Sequence, residues 1–281
     1  MKLTISMPVY ADYNGVAFSV QAIRIYQNLP VGTEILVLDN APDTDDGRQT
    51  KKFIESFVPY GRYIPVTDRQ SSFIKYDAFL HATGDVVLGI DSHVMLQPGA
   101  IRALLDWWAL HKGEPHNLTG PLMHDGLEAL STHMEPLWRG ADYGTWATNT
   151  PALKKGVPFE VPMQGMGLFS FWRESFKPLT EPFLAFGGEE SFIAERVRQA
   201  GGRTICHPGV AWWHRFDWPI QRPFSVAMKE RVRNYYVGWL SLYGSLDHPK
   251  VQEMTEHWRK TVTEEELVWA MQQALQSRHG R

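Results

Sequence analysis

Apolar positions in this chain come first as short blocks and later at helical spacing. Leu3, Ile5, Met7 and Val9 alternate with other residues until Pro8-Val9-Tyr10 closes the segment, the period of two that marks a strand. Ile35-Leu36-Val37-Leu38 is a continuous apolar run ending at Asp39, and Val86-Val87-Leu88-Gly89-Ile90 is another, ending in Asp91-Ser92-His93. Such runs predict strands buried on both faces. Between them, Val16, Val20 and Ile23 share a helix face that Asn14 can cap. Asn40 to Gly47 reads as loop, Thr50 to Phe57 as helix and Arg62 to Val66 as a short strand. Phe73, Tyr76 and Leu80 predict a helix leading to Gly84, and Ile101, Leu104, Leu105 and Trp108 an amphipathic one. Strand and helix alternate, so an α/β fold built on βαβ units is expected.

From Lys112 to Pro162 periodicity is weak and Gly, Pro, Thr and Trp are frequent. Short strands and long loops are expected there, with a substrate lid among them. Phe183 to Gly188 reads as a loop before a helix that carries Ile193 and Val197 and ends at Gly201-Gly202. Arg203 to Pro208 reads as a strand. Val232, Tyr236, Trp239 and Tyr243 then form one helical stripe, and Thr263 with Glu266 forms a capping box ahead of Leu267, Met271 and Ala274. The expected organisation is a main domain over residues 1–221 and a helical extension over 222–281 packed on it.

The 281 residues, 43% hydrophobic, suffice for one large core. A net charge of −3 lacks the Lys and Arg excess of a general nucleic-acid binder. The single cysteine, Cys206, excludes an internal disulfide and reads as a small buried hydrophobe. Met1-Lys2-Leu3 leads straight into a strand pattern and no apolar run approaches the length of a membrane span, so a cytoplasmic location is expected.

Candidate chemistry gathers at the strand ends. Asp91 and His93 are expected just past the carboxyl end of a buried strand, where parallel α/β sheets bind ligands. Alternate residues of an extended segment share a face, so these two can reach one divalent cation together; the plainer alternative is a solvated loop. Tyr10 can stack on a base and Asp39 can accept from a base or ribose donor. With a metal beside them, that combination describes a nucleotide-diphosphate pocket. Neither G-x-x-x-x-G-K-[ST] nor a G-x-G-x-x-G after the first strand is present, which argues against P-loop phosphate binding and against a dinucleotide oxidoreductase.

The chain resembles nucleotide-sugar-dependent glycosyltransferases of the GT-A fold, and is similar to glycosyltransferase family 2 and to the polypeptide N-acetylgalactosaminyltransferases. The matching pieces are Met7-Pro8-Val9-Tyr10, Glu34 to Asp39, and Lys75 to Gly84 leading into Asp91-Ser92-His93. Gly165-Met166-Gly167-Leu168-Phe169 and Phe186-Gly187-Gly188-Glu189-Glu190 follow, then Arg196, Gly201-Gly202 and Trp212-Trp213-His214-Arg215-Phe216. They cover roughly the first four-fifths of the chain in the order such enzymes show.

The resemblance implies a Rossmann-like, mostly parallel sheet flanked by helices, with residues 1–221 as the GT-A catalytic domain. It implies metal-dependent transfer of a sugar, a hexose, from a nucleotide-diphosphate donor (a UDP-sugar first among them) to a hydroxyl acceptor. Asp91, His93 and His214 stand as metal ligands in it, although His214 by itself would read as part of an aromatic core. Tyr10 and Asp39 match positions that contact the nucleobase, Lys75 points toward the diphosphate, and Gln164 and Gly165 join the nucleotide-sugar site. The mixed carboxylate and imidazole set suits Mn²⁺, whereas Mg²⁺ prefers more oxygen.

Glu189 and Glu190 open a helix whose dipole favours anions, so both are expected to be ionised by a depressed pKa and able to accept a proton; the resemblance to inverting relatives, whose second acid is the base, implies that role for Glu190. Gly-Gly-Glu-Glu departs from the inverting and the retaining pattern alike. Two acids lean toward inversion, while Asp-Ser-His with a downstream histidine leans toward retention. Gln164, Trp146, Asp142 and Trp212-Trp213 are candidate walls of an acceptor cleft. The acceptor is a saccharide or, as an alternative, a hydroxymethylated DNA base. A metal-dependent nucleotidyltransferase and a non-catalytic binding module are the competing classes, and the oligomeric state is open.

Overall fold

The computed structural model describes residues 1–68, 71–124, 130–177, 179–216 and 227–279. Four apolar segments form adjacent parallel strands: β1 (Leu3–Val9), β2 (Glu34–Asp39), β3 (Gly61–Pro65) and β4 (Val86–Ile90). β1 lies between β2 and β4, with Thr4 opposite both Glu34 and Val87. Every residue of β2 and β4 is buried, as strands covered on both faces require. Helix α1 (Tyr13–Tyr26) connects β1 to β2 and α2 (Asp45–Phe57) connects β2 to β3. Between β3 and β4 the chain makes a 3-10 turn over Ser72–Tyr76 and the short α3 (Ala78–His81), where the spacing predicted one helix.

Two helix starts differ from the pattern. Asp12, not Asn14, caps α1: its carboxylate accepts from the Gly15 amide at 3.1 Å, while Asn14 already lies inside the first turn. α2 begins inside the stretch expected to be loop. Thr44 caps it by accepting from the Gly47 amide, and Asp45 and Asp46 complement the dipole. That opening turn is polar, so apolar periodicity carried no signal for it.

The weakly periodic middle forms mostly short strands. After β5 (Val94–Leu96) and α4 (Ala100–Leu110) come β6 (Asn117–Thr119), β7 (Leu122–Met123) and β8 (Leu130–Ser131). A longer hairpin of β9 (His133–Arg139) and β10 (Asp142–Ala147) follows, then α5 (Thr150–Lys154), β11 (Phe159–Val161) and β12 (Leu168–Trp172). α6 (Glu189–Gln199), β13 (Thr204–Cys206) and β14 (Trp212–His214) complete the sheets. The main sheet runs β11-β13-β6-β12-β4-β1-β2-β3, and β12 and β11 run against their neighbours. A smaller sheet has the order β5-β14-β7-β8.

One apolar cluster joins Val16, Val20, Ile101 and Trp108 to the strands. A second joins Phe73, Tyr76, Phe169 and Phe192 to α7 (Met228–Tyr243), α8 (Pro249–Trp258) and α9 (Glu264–His279) through Val232, Tyr236, Trp258 and Leu267, and a small third holds Met134, Met163 and Ala194. The C-terminal helices therefore share a core with the sheet. Thr263 and Glu266 make the reciprocal capping box, amide to side chain, at 3.1 and 3.2 Å. The expected boundary between residues 221 and 222 lies outside the described residues. Among the described residues, no helix is long and apolar enough to cross a membrane. Cys206 is buried in β13, and burial pushes its thiol up to about 12.

Candidate active site

β4, β1 and β2 end at the same edge of the sheet, and a pocket of about 290 Å³ lies beyond them, as in other open α/β sheets. Tyr10, Asn40, Lys75, Asp91, His93 and Glu190 are among its walls. Ala11, next after Tyr10, takes a left-handed φ of 43° as the chain turns from β1 into α1, a conformation that costs about 1 kcal/mol outside glycine.

Asp91-Ser92-His93 is the link between β4 and β5. The Asp91 amide donates to the Gly167 carbonyl at 3.0 Å, extending the β4–β12 ladder one step. β5 pairs antiparallel with β14 and sets His214 opposite Val94. That register brings His214 Nε2 to 3.3 Å from Asp91 Oδ2, with the His93 and His214 ring centroids 4.8 Å apart. One ligand atom from each of Asp91, His93 and His214 lies within 4.8 Å of the other two. Bonds of about 2.1 Å to an octahedral cation put neighbouring ligands about 3 Å apart and opposite ones about 4.2 Å apart. The 4.8 Å limit is a little wider than either spacing, so the three side chains could share one divalent ion by closing on it a few tenths of an ångström.

Charge is balanced around that point. Burial alone raises the Asp91 carboxyl, but the Lys75 ammonium and the His214 hydrogen bond outweigh it and hold it at about 2. Lys75 Nζ donates to the Met166 carbonyl at 3.2 Å and lies 3.5 Å from Glu189 Oε1. Burial disfavours its charge, yet Asp91, Glu189 and Glu190 together raise its pKa above the ordinary lysine value.

Glu190 departs from expectation. α6 does begin at Glu189, after Gly187 and Gly188 at φ of 85° and 96°. Burial and then the Glu189 charge nevertheless push the Glu190 carboxyl above the usual carboxylate range. Loss of water and a like-charged neighbour exceed what the helix N-terminus returns.

Asp39 is also placed differently. It is fully buried as the last residue of β2, where Oδ2 accepts from the Tyr63 hydroxyl at 2.6 Å and Oδ1 from the Ala41 amide at 2.7 Å. Asn40 lines the pocket in its stead, with Oδ1 accepting from Ser71 N and Nδ2 donating to the Val66 carbonyl. Gln164 lies behind the wall, donating to the Thr132 carbonyl at 2.8 Å, while Gly165 is in the wall itself. A Cβ on Gly165 would come within 2.3 Å of the Trp146 ring, so glycine is what admits that indole. Trp146 and Trp212 line the pocket; Trp213 and Asp142 are not among its lining residues, and Asp142 pairs with Arg231 at 2.6 Å.

Asp12 carried no functional expectation, yet it sits against the candidate metal group, with Oδ2 3.2 Å from His93 Nδ1. An acid just past a strand end and ahead of a helical stripe was the available signal. A second group, His111, Glu114 and His116, also gathers three ligand atoms. It is accounted for without an ion. His116 Nδ1 accepts from the Arg203 amide, so the neutral ring carries its proton on Nε2 and donates to Glu114 Oε2 at 2.5 Å.

No protein-family model matches the sequence, and no curated protein matches it. Solved structures do. GalNAc-T7, in a structure with UDP, GalNAc and Mn²⁺, matches 92% of this chain at a TM-score of 0.68 and 15% identity. The chain has the GT-A glycosyltransferase fold. It spans 54% of the GalNAc-T7 chain, about half. The mannosyltransferase PcManGT from Pyrobaculum calidifontis, in complex with GDP-Man and Mn²⁺, matches 98% of this GT-A chain and 73% of its own, at 17% identity and a TM-score of 0.55. S. aureus TarS 1–349 with UDP-GlcNAc matches 99% of it and 81% of its own, at 12% identity and a TM-score of 0.60.

Proposed function

We propose that this chain is a metal-dependent glycosyltransferase that moves a sugar from a nucleoside-diphosphate donor, a UDP-sugar first among them, to a hydroxyl acceptor. The convergence of Asp91, His93 and His214 at the pocket carries this reading. Structures of the same fold hold UDP with GalNAc and Mn²⁺, GDP-Man with Mn²⁺, or UDP-GlcNAc, which supports the pocket as a donor site. A divalent cation held by those side chains would neutralise the charge that gathers on the departing diphosphate. Lys75 adds a buried positive charge on the same wall, and Tyr10 offers a ring for the base.

In this reaction the acceptor oxygen bonds to the anomeric carbon while the bond from that carbon to the diphosphate oxygen breaks, its electron pair leaving with the nucleotide. The acceptor proton passes to Glu190. Glu190 lines the pocket and its pKa is raised toward the operating pH, where a general base works best. Glu189 instead holds Lys75. Direct displacement assisted by such a base inverts the anomeric centre.

The test is a panel of UDP- and GDP-sugars with Mn²⁺, read by chromatography of the released nucleotide. Nucleoside diphosphate release that Mn²⁺ stimulates and Asp91→Ala abolishes is the expected result. Pyrophosphate in its place would mean nucleotidyl transfer, and failure of every UDP and GDP donor to bind with Mn²⁺ would remove the reading.

A further inference from the structure

Asp12 joins three distant segments of the chain. Oδ1 accepts from the Gly15 amide at 3.1 Å, which caps α1, and lies 3.3 Å from Arg215 Nη2, on the residue after His214. Oδ2 accepts from the Ser92 hydroxyl at 2.8 Å and stands 3.2 Å from His93 Nδ1. α1 grips the same link again through Ser19, whose hydroxyl donates to the Ser92 carbonyl at 2.8 Å. Arg215 donates its amide to the His93 carbonyl at 3.3 Å.

We propose that Asp12 is a positioning residue for the metal centre, holding His93 in the tautomer that carries its proton on Nδ1 and its lone pair on Nε2. The inference rests on the metal reading above. The remaining contacts of Asp12 come from an amide, a hydroxyl and a guanidinium, so this carboxylate acts as an acceptor throughout. Its contact with His93 Nδ1 is therefore attractive only if that nitrogen bears the proton. A ligating imidazole that donates its other N–H to a carboxylate is held in orientation and made a stronger donor, and loss of such a partner lowers metal affinity by about 10–100-fold. Ser92, the middle residue of the motif, belongs to the same cluster: its hydroxyl donates to Asp12 Oδ2 and its oxygen stands 3.3 Å from His93 Nδ1, where it can accept from the same N–H.

Helix capping is the competing role, and Asp12→Asn separates the two. Asparagine caps as well as aspartate, so its carbonyl oxygen can keep the Gly15 amide. Its amide nitrogen then faces Ser92 and His93. A donor there requires the His93 lone pair on Nδ1 and moves the proton to Nε2, the position an ion needs vacant of a proton.

The experiment uses the whole chain as wild type, Asp12→Asn and Asp12→Ala. Mn²⁺ binding is followed by electron paramagnetic resonance of the free ion. The ring nitrogens of the metal-free protein are followed by ¹⁵N NMR, with His93 assigned by the signal that His93→Gln removes. Wild type shows the Nδ1–H tautomer. In Asp12→Asn the tautomer reverses and Mn²⁺ affinity falls by about 10–100-fold, while the retained cap keeps its melting temperature above that of Asp12→Ala. Asp12→Ala also melts lower, because the cap is lost. Asp12→Asn with wild-type Mn²⁺ affinity and an unchanged tautomer overturns the inference while leaving the metal reading in place. Wild type that binds no Mn²⁺ ends the metal reading and this role with it.

Discussion

His214 Nε2 lies 3.3 Å from Asp91 Oδ2 although 123 residues separate the two in sequence. The pairing of β14 with β5 is what closes that gap, with Trp212 opposite Leu96 and His214 opposite Val94. Side chains alternate faces along a strand, so a slip of one residue would turn His214 away from Asp91 and His93. A three-residue strand in the smaller sheet thus carries the geometry of the whole candidate metal group.

Removing a proposed ligand from that group has a defined consequence. Asp91→Ala and His214→Ala each lose Mn²⁺-stimulated turnover by about 10³-fold, the rate equivalent of about 4 kcal/mol of charge stabilisation. Circular dichroism of both variants remains that of wild type. Initial rates across a Mn²⁺ titration check this; wild-type rates in both variants would take the cation out of the mechanism.

The raised pKa of Glu190 sets the direction of two pH effects. Its carboxyl must lose a proton to act as a base, so kcat/KM rises with pH through that raised value. Glu190→Gln removes the rise and lowers the rate about 10²–10⁴-fold with donor affinity nearly intact. Stability moves the other way. Between the ordinary Glu value of 4.5 and the raised one, the folded chain binds more protons than the unfolded chain, so Glu190 makes folding less favourable as pH rises. Glu190→Gln therefore melts higher than wild type above neutral pH, which a pH series of thermal scans measures.

Gly165 is held small by Trp146. Gly165→Ala places a methyl where the indole now lies, 2.3 Å from its nearest atom. Overpacking of this kind costs about 1–3 kcal/mol, and relief by displacement of Trp146 alters the pocket wall. Urea unfolding should show the loss, and UDP affinity in the presence of Mn²⁺ should fall with it.

Arg231 ties α7 to the hairpin and to the loop before α6. Nη1 lies 2.6 and 2.7 Å from the two Asp142 oxygens, and the guanidinium sits 5.3 Å over the Phe186 ring. Both partners of the ion pair are less than a quarter exposed. A double-mutant cycle of Arg231→Met with Asp142→Asn should give a coupling of about 1.5–3 kcal/mol in urea unfolding. A coupling near zero would mean that the hairpin is held by other contacts.

The local pattern of this sequence determined what depends on neighbours along the chain: the apolar runs of β1, β2 and β4, the acid and imidazole that follow β4, the stripe of α7 and the capping box at Thr263. Each of these is written in a few adjacent residues, because strand and helix periods sort apolar from polar side chains directly. Helix starts without apolar residues escaped that reading, as at Thr44, and a cap was displaced by two residues, from Asn14 to Asp12. Tertiary structure alone decided the partners. Asp39 went to Tyr63 and ceded the pocket to Asn40, burial beside Glu189 raised Glu190 against the helix dipole, and Asp12 met His93 across 81 residues. Such outcomes follow from which distant segments pair and from how much water packing removes, and neither quantity is carried by the spacing of residues along one segment.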